Sequence, residues 1–589
     1  MNQKYNFKID LSDLYNWIDD PEIEEDIKKL DKLSSWFESK YKWKVKNFKE
    51  EDFLQYFQDL EYILQYTSKI WTYLNICNIL NTQDEKAKKK KKEYESFYNI
   101  NIFPRFKFFS EESESIWDKK LYEFSKAYKL QEYKNWFNRF IKFQKYKLPK
   151  EQENILKKIS NSDLIDFYND FKSSIRIQVN IEWKRKNHSI SYLSKFIINT
   201  KDYKLKKKVY DRINKEISKP ENKTAFYHIF YNIVKNRCRI LSIRWYENVM
   251  WPNNLTNDID QRFVEFILNK VKSKTKLLQD FYKLKAKKLN NKSRLDYFLT
   301  NENIYKTPNE IDANIWIDYV LKSLKKFDKD FYDYAKFLFD NKRIDLFPNE
   351  NKKKFSGLCF FYKNIPTYIL LNYHNASSIK SISHELWHAI HGFFAQNNSS
   401  LVYHPCEIIK EIPSTFNEIL FLDYMSKNNK EYNNFFREEL VNLIIWKIFV
   451  LSIRTEFELS VHEDIFNWKH LSLSEINKKW YDTKIKYYSN SVSNALKDSD
   501  DITWVKNDFF FERPFSQFNY IVSILISFIL YQKYQKEWNK FIEKYKEFLS
   551  YGWSLTTEEL LKIVWINLND ENVFEEWFDI IYNKVHYFS

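Results

Sequence analysis

The chain has 589 residues, of which 44% are hydrophobic and 30% are charged, so it can bury one large core or two to three medium ones. This composition excludes a small disulfide-stabilised scaffold and an intrinsically disordered protein. The formal net charge of +15 is spread over segments that also carry acids, and no nucleic-acid-binding motif accompanies it, so we expect no nucleic-acid partner.

Glycine, proline and cysteine are scarce. Only 3 glycines and 11 prolines occur, far below their usual frequencies of roughly 7% and 5%. Few glycines disfavour folds that are rich in tight turns and favour helices. The four cysteines lie far apart without a CxxC spacing, which predicts neither a disulfide framework nor a cysteine zinc site.

Long amphipathic segments fill the chain from Leu11 to about Glu350. Stretches such as EDFLQYFQDLEYILQYTSKIWTYLNICNIL place apolar residues three and four positions apart, which is the period of an α-helix. In DDPEIEED, Pro21 followed by acidic residues is typical of a helix start. These patterns predict a mainly α fold built from many helices.

The pattern changes near Lys354. The stretch FSGLCFFYKNIPTYILLNYH is rich in aromatic and β-branched residues and is interrupted by Gly357 and Pro366, which predicts a small β-hairpin or sheet. Helical patterns then resume from Ser378 to near Tyr582.

No stretch of the sequence predicts a membrane segment. The N-terminal MNQKYNFKIDLSDLYNW lacks an apolar region, and the longest apolar run, YIVSILISFILY from Tyr520, is too short to span a bilayer. We therefore expect a soluble, cytoplasmic protein without a membrane partner.

The stretch SHELWHAIHG carries the strongest chemical signal. His384 and His388 are four residues apart on a predicted helix, so both rings can point a nitrogen at one metal ion. Glu385 then lies beside the ion without binding it, as suits a carboxylate that accepts a proton from water and later releases it. A pair of core histidines is the alternative interpretation.

A catalytic zinc usually has three protein ligands, and two glutamates are candidates for the third. Glu407 has a suitable spacing from His388 but lies in HPCEIIK, without the residues that usually accompany such a ligand. Glu411 begins EIPSTFNE, in which Glu411 and Glu418 share one helical face, and we favour it. Glu418 then either orients a ligand imidazole or is a solvated or core-edge acid.

Two further histidines, His391 and His404, are expected to pack in the core or to line the rim of a substrate site. A metzincin would need histidine at position 394 and glycine at position 391, where this chain has Phe394 and His391, so that class is excluded.

The stretches PTYILLNYHNASSIKSISHELWHAIHGFF and EIPSTFNEILF resemble the oligoendopeptidase F and thimet oligopeptidase family of zinc metallopeptidases. Weaker similarity extends to IRTEFELSVHE, RPFSQFNYIVS and FLSYGWSLTTEELLK. The resemblance implies one Zn²⁺ bound by His384, His388 and Glu411, with Glu385 as the general acid/base. It also implies an almost wholly helical metallopeptidase fold with a deep channel that admits short peptides.

The chain also departs from that family at three positions. Trp387 stands where the family usually has glycine or alanine, and Asn507 and Ser516 stand where it supplies histidine and tyrosine donors to the substrate. Tyr520 remains as a candidate catalytic hydrogen-bond donor, or else as a core aromatic residue.

We therefore expect a zinc-dependent endopeptidase that hydrolyses oligopeptides. The alternative is a degenerate member of the family that binds peptides with little or no turnover. We expect an N-terminal helical domain over residues 1–200 and a catalytic domain over residues 201–589, while the sequence leaves the oligomeric state open.

Overall fold

Helices dominate the computed structural model, which describes residues 5, 7–113, 116, 118–158, 161–181, 184–290, 292–308, 312–353, 355–373, 378–493 and 500–586. The predicted mainly α class is thereby confirmed. No helix within these ranges is both long enough and apolar enough to cross a bilayer.

The chain forms two compact units, each assembled from separate stretches. The first comprises Met1–Lys145, Thr307–Asn433 and Ile526–Leu568, and the second comprises Tyr146–Lys306, Asn434–Leu525 and Asn569–Ser589. These units are defined by their compactness alone. The division into an N-terminal helical domain over residues 1–200 and a catalytic domain over residues 201–589 stays a prediction.

The first unit contains fifteen of the described α-helices and strands, together with part of a long helix that it shares with the second. Its helices are α1 (Pro21–Tyr41), α2 (Glu50–Leu80), α3 (Glu85–Phe97), α4 (Lys107–Glu112), α5 (Asp118–Lys126), α6 (Lys134–Gln144), α15 (Ala313–Phe327), α16 (Lys329–Asp340), α17 (Ile379–Ala395), α18 (Glu407–Asn428), α24 (Trp538–Ser550) and α25 (Thr557–Ile563). Its strands are β3 (Ile344–Asp345), β4 (Gly357–Tyr362) and β5 (Ile365–Leu371), and the shared helix is α23 (Ser516–Lys536).

The first helix begins where the sequence predicts. Pro21 occupies the first helical position of α1, and the Asp20 side chain accepts a hydrogen bond from the Glu22 backbone N–H at 3.0 Å. Apolar residues of α1 and α2, among them Phe37, Phe53 and Phe57, are fully buried in an aromatic core. The helical period of these residues brings them onto one face.

A three-stranded sheet precedes α17, as the sequence predicts. The strand order is β3-β5-β4, with β4 and β5 antiparallel and Gly357 paired with Leu371. Asn364, in the turn between the two strands, has a positive φ of 61°. The sheet packs against α17 through β4 and β5, and residues 374–377, between β5 and α17, lie outside the described residues.

The second unit is also mainly helical. Its helices are α7 (Lys150–Lys158), α8 (Ser162–Ser174), α9 (Ile190–Asn199), α10 (Tyr203–Ile217), α11 (Pro220–Ile243), α12 (Trp251–Asn257), α13 (Gln261–Ser273), α14 (Thr275–Asn290), α19 (Asn433–Ile444, beginning at the boundary), α20 (Leu451–Phe466), α21 (Leu473–Tyr488), α22 (Phe509–Glu512) and α26 (Glu571–His586).

This unit also contains a β-hairpin within the stretch that we expected to be helical throughout. Strands β1 (Arg176–Ile181) and β2 (Lys184–Ser189) pair antiparallel. The segment RIQVNI alternates apolar and polar residues, and Ile177 and Val179 are each 2% exposed. Three apolar positions at period two are too short a signal to stand out among long helical patterns.

Candidate metal centre

Two helices of the first unit, α17 and α18, carry the predicted metal-binding residues. His384, Glu385 and His388 lie on α17, and Glu411 lies on α18. The amide of Asn417 on α18 donates a hydrogen bond to the Ser383 carbonyl oxygen at 2.6 Å, next to His384. This contact fixes one helix against the other at the height of the candidate site.

The two imidazoles and one carboxylate converge. The Nε2 atoms of His384 and His388 are 3.2 Å apart, and Oε2 of Glu411 lies 3.4 Å from the first and 3.9 Å from the second. Ligand atoms roughly 2.0–2.2 Å from a zinc ion at tetrahedral angles lie about 3.4 Å from one another. The spacing of these three atoms therefore fits one zinc ion, and no other group of three such residues does so among the described residues.

Glu418 orients the ring of His384. Its Oε1 atom lies 2.8 Å from Nδ1 of His384, so the ring can donate its Nδ1 proton to the carboxylate and keep a lone pair on Nε2. Glu418 is 5% exposed, so it is not a solvated acid. The alternative that it orients a ligand imidazole is the one that the geometry supports.

Buried charge at the site favours a cation. Burial lowers the pKa of His384, but hydrogen bonds to Glu411 and Glu418 outweigh it and raise that pKa to about 10. Burial lowers the pKa of His388 to about 3. Burial raises the pKa of Glu385 to about 7, with Glu411 and Glu418 adding to the rise and His384 opposing it. The buried carboxylates of Glu411 and Glu418 beside these imidazoles form a site whose charge a divalent cation would balance.

The two candidate histidine ligands differ in what holds their rings in place. Nδ1 of His388 has no hydrogen-bond partner among the described residues, whereas Nδ1 of His384 has Glu418. The ring of His388 instead lies parallel to Phe361, with ring centres 6.3 Å apart.

The remaining candidate ligands lie elsewhere. Glu407 is exposed and forms an ion pair with Lys410, at the first turn of α18. His391 is 1% exposed, and its ring nitrogens have no hydrogen-bond partner among the described residues. His404 packs against aromatic rings, the nearest being Phe361 with ring centres 4.8 Å apart. His391 therefore packs in the protein interior, and His404 is half-buried among aromatic rings.

Trp387 does not crowd the metal site. Its indole is fully buried among aromatic residues of four other helices, with ring centres 4.9–5.6 Å from its own. These residues are Phe327 of α15, Phe331 of α16, Phe416 of α18 and Tyr545 of α24. The departure at this position is thus accommodated by a core of large side chains.

The residues of the other departures belong to the second unit. Asn507 is buried and donates a hydrogen bond to Gln517 at 3.0 Å. The Ser516 hydroxyl donates to the Arg513 carbonyl oxygen at 2.7 Å, and Tyr520 is half-buried on α23. A catalytic role for Tyr520 stays a prediction.

The sequence reasoning missed two features of the site. Nothing in the pattern identifies Asn417 as the residue that ties α18 to Ser383, because a buried asparagine has no periodic signature. Gly357, which lies against Glu385, did carry a signal, because it is one of only 3 glycines in the chain.

Two sequence models of known protein families together match most of the chain. The sequence model described as Peptidase family M3 matches residues 196–580, and the one described as Oligopeptidase F matches residues 115–164. An oligoendopeptidase F homologue of Borreliella burgdorferi is 22% identical over 478 residues, covering 79% of this chain and 78% of the relative.

Solved structures share the fold. A protein from Chlamydophila abortus superposes with a TM-score of 0.79 at 16% identity, covering 99% of this chain and 97% of its own. The oligoendopeptidase-F of Enterococcus faecium superposes with a TM-score of 0.68 at 14% identity, covering 96% of this chain and 98% of its own.

Proposed function

The chain belongs to peptidase family M3, and from this premise we propose that it is a zinc-dependent endopeptidase that hydrolyses oligopeptides. The observation that carries the zinc assignment is the convergence of Nε2 of His384, Nε2 of His388 and Oε2 of Glu411 at mutual distances of 3.2–3.9 Å. Two neutral imidazole nitrogens and one carboxylate are a usual ligand set for catalytic zinc.

Each residue of the site has a distinct task. His384 presents its Nε2 lone pair because Glu418 accepts the Nδ1 proton. Zinc bound by these residues would supply a Lewis acid that polarises the scissile carbonyl group and acidifies water.

Glu385 moves the protons. Its carboxylate accepts a proton from the water whose oxygen attacks the carbonyl carbon, and it then delivers that proton to the amine nitrogen as the C–N bond breaks. Water is thereby divided between the two products, and no covalent enzyme intermediate forms.

The alternative of a peptide-binding protein with little turnover is motivated by Asn507 and Ser516, which replace donor residues of the family. Losing one donor to the developing oxyanion typically costs about 10²–10³ in rate. Asn507 is already engaged with Gln517, so it is not an obvious substitute donor.

Metal analysis and turnover of a quenched fluorescent peptide test the proposal together. We expect about one zinc per chain, a loss of that zinc in Glu411→Gln and His388→Ala, and retention of zinc in Glu385→Gln with turnover reduced about 10²–10⁴-fold. Glu407→Gln, on the same helix as Glu411 but outside the site, is the matched control and should retain both the zinc and the turnover of the parent.

Two results would contradict the proposal. A zinc content unchanged by both Glu411→Gln and His388→Ala would refute the ligand assignment. If the parent protein hydrolysed the peptide no faster than Glu385→Gln, the proposed catalysis would be refuted and only peptide binding would remain.

A further inference from the structure

All three glycines of this glycine-poor chain lie in the first unit, at places where a side chain would collide with neighbours. A Cβ atom on Gly392 would lie 2.7 Å from the Tyr403 hydroxyl, and one on Gly552 would lie 2.5 Å from a backbone oxygen. Gly357 is different, because its neighbour is the side chain of Glu385.

The contact at Gly357 is very close. A Cβ atom at this position would lie 2.5 Å from Oε1, 2.6 Å from Cγ and 2.8 Å from Cδ of Glu385. Non-bonded carbon atoms normally approach to about 3.5–4.0 Å. The carboxyl group of Glu385 therefore occupies the space that any side chain at position 357 would need.

The backbone of Gly357 does not itself require glycine. It is the first residue of β4, in register with Leu371 of β5, and Gly552 is the only glycine with a positive φ. An alanine would suit the strand conformation at least as well, since glycine inside a strand is destabilising. The requirement for glycine thus comes from Glu385.

No hydrogen bond to a described residue fixes the Glu385 side chain, although it is only 7% exposed. A glutamate side chain has three rotatable bonds, so fixing it costs conformational entropy. Close packing against Gly357 is one contact that restricts its rotamer.

We propose that Gly357 is a positioning residue for Glu385: by lacking a side chain, it leaves the space at the start of β4 that the carboxyl group occupies. This inference rests on the proposed acid/base role of Glu385. It assigns to Gly357 an effect on the rate of the chemical step and none on zinc binding, since the three atoms nearest to a Cβ at that position all belong to Glu385.

Gly357→Ala is the direct test. We expect kcat for the fluorescent peptide to fall about 100-fold, as a displacement of about 1 Å costs in other active sites, with KM and zinc content close to the parent values. Leu358→Ala, at the next and more exposed position of β4, is the matched control and should leave kcat unchanged.

Glu385→Ala provides the second arm of a double-mutant cycle. It removes Cγ, Cδ and Oε1, the three atoms that a Cβ at position 357 would overlap. Gly357→Ala should therefore lower Tm much less in the Glu385→Ala background than in the parent. This coupling in Tm is a readout that does not depend on activity.

Three results would overturn the inference: an unchanged kcat in Gly357→Ala, additive effects on Tm in the cycle, or a loss of zinc in folded Gly357→Ala protein. Should Gly357→Ala not fold, recovery of a folded chain in the double variant would support the steric argument, and failure to recover would refute it. If Glu385→Gln itself kept full activity, the proposed function would fail instead.

Discussion

Oε1 of Glu418 lies 2.8 Å from Nδ1 of His384, so the acid on α18 faces the imidazole nitrogen that points away from the candidate metal position. Glu411 approaches the opposite nitrogen of the same ring, with Oε2 3.4 Å from Nε2. The two glutamates are seven residues apart on one helix and contact one histidine from both sides. If Nε2 binds a cation, this arrangement leaves the remaining ring proton on Nδ1.

Glu418→Leu should lower zinc affinity about 10–100-fold without removing a ligand, because His384 loses the acceptor that sets its tautomer and orientation. Competition with a chromophoric chelator measures this affinity. Glu407→Leu, on the exposed first turn of the same helix, should leave it unchanged. Equal affinities for the Glu418 variant and the parent would contradict a supporting role.

Trp387→Ala should lower the free energy of unfolding by about 3–5 kcal/mol, because it empties a fully buried aromatic site. Urea denaturation measures this loss. Trp36→Ala, a truncation of a tryptophan that is 44% exposed, should change stability far less. A loss of zinc in folded Trp387→Ala protein would show that the indole supports the site and not only the core.

Glu458 should make stability depend on pH. This residue of the second unit is 0% exposed, and burial raises its pKa to about 8 from an unfolded value near 4.5, against the opposing effects of the Phe515 N–H, Arg237 and Arg454. Because the folded state holds the proton more tightly, stability falls as the pH rises from about 4.5 to 8.

Glu458→Gln should therefore stabilise the protein by a margin that grows by up to about 1.4 kcal/mol per pH unit across that window. Urea unfolding at about pH 5, 6, 7 and 8 measures the margin. Glu265→Gln, a change at an exposed acid, should show no such growth. Parallel pH profiles for Glu458→Gln and the parent would refute the prediction.

Trp245→Gly and Trp468→Gly should each stabilise the second unit by about 0.5–1 kcal/mol. Both tryptophans follow a helix end with a positive φ, of 58° and 64°, and are 82% and 79% exposed. The N–H group of each tryptophan and that of the next residue donate hydrogen bonds to carbonyl oxygens in the last turn of the helix. In this helix-end pattern, glycine is the usual residue at the left-handed position. A left-handed conformation costs roughly 1–2 kcal/mol in a residue with a Cβ, which exceeds the entropic cost of glycine.

Trp71→Gly is the matched control, because Trp71 is an exposed tryptophan inside α2. It should destabilise the protein by about 1 kcal/mol, since glycine is a poor helix former. Thermal denaturation distinguishes the two effects by their opposite signs. Destabilisation at positions 245 and 468 would mean that packing of the indoles outweighs the backbone strain.

Local patterns were sufficient to predict the elements that carry the site. The helical period placed His384, Glu385 and His388 on one helix, and the aromatic, β-branched stretch after Lys354 predicted the sheet before it. These inferences succeeded because they depend on neighbours within a few residues. The β1–β2 hairpin was missed because its period-two signal covers only three apolar positions.

The sequence by itself therefore determined the mainly α class, the sheet before α17 and the spacing of two imidazoles, all of which follow from backbone periodicity. Only the tertiary structure decided that Glu411 and not Glu407 faces those imidazoles, that Glu418 supports His384, that Trp387 packs away from the site and that Gly357 makes room for Glu385. These outcomes depend on how α17, α18 and β4 pack together. No local pattern encodes that packing, because each face of a helix is compatible with several partners until the whole core is assembled.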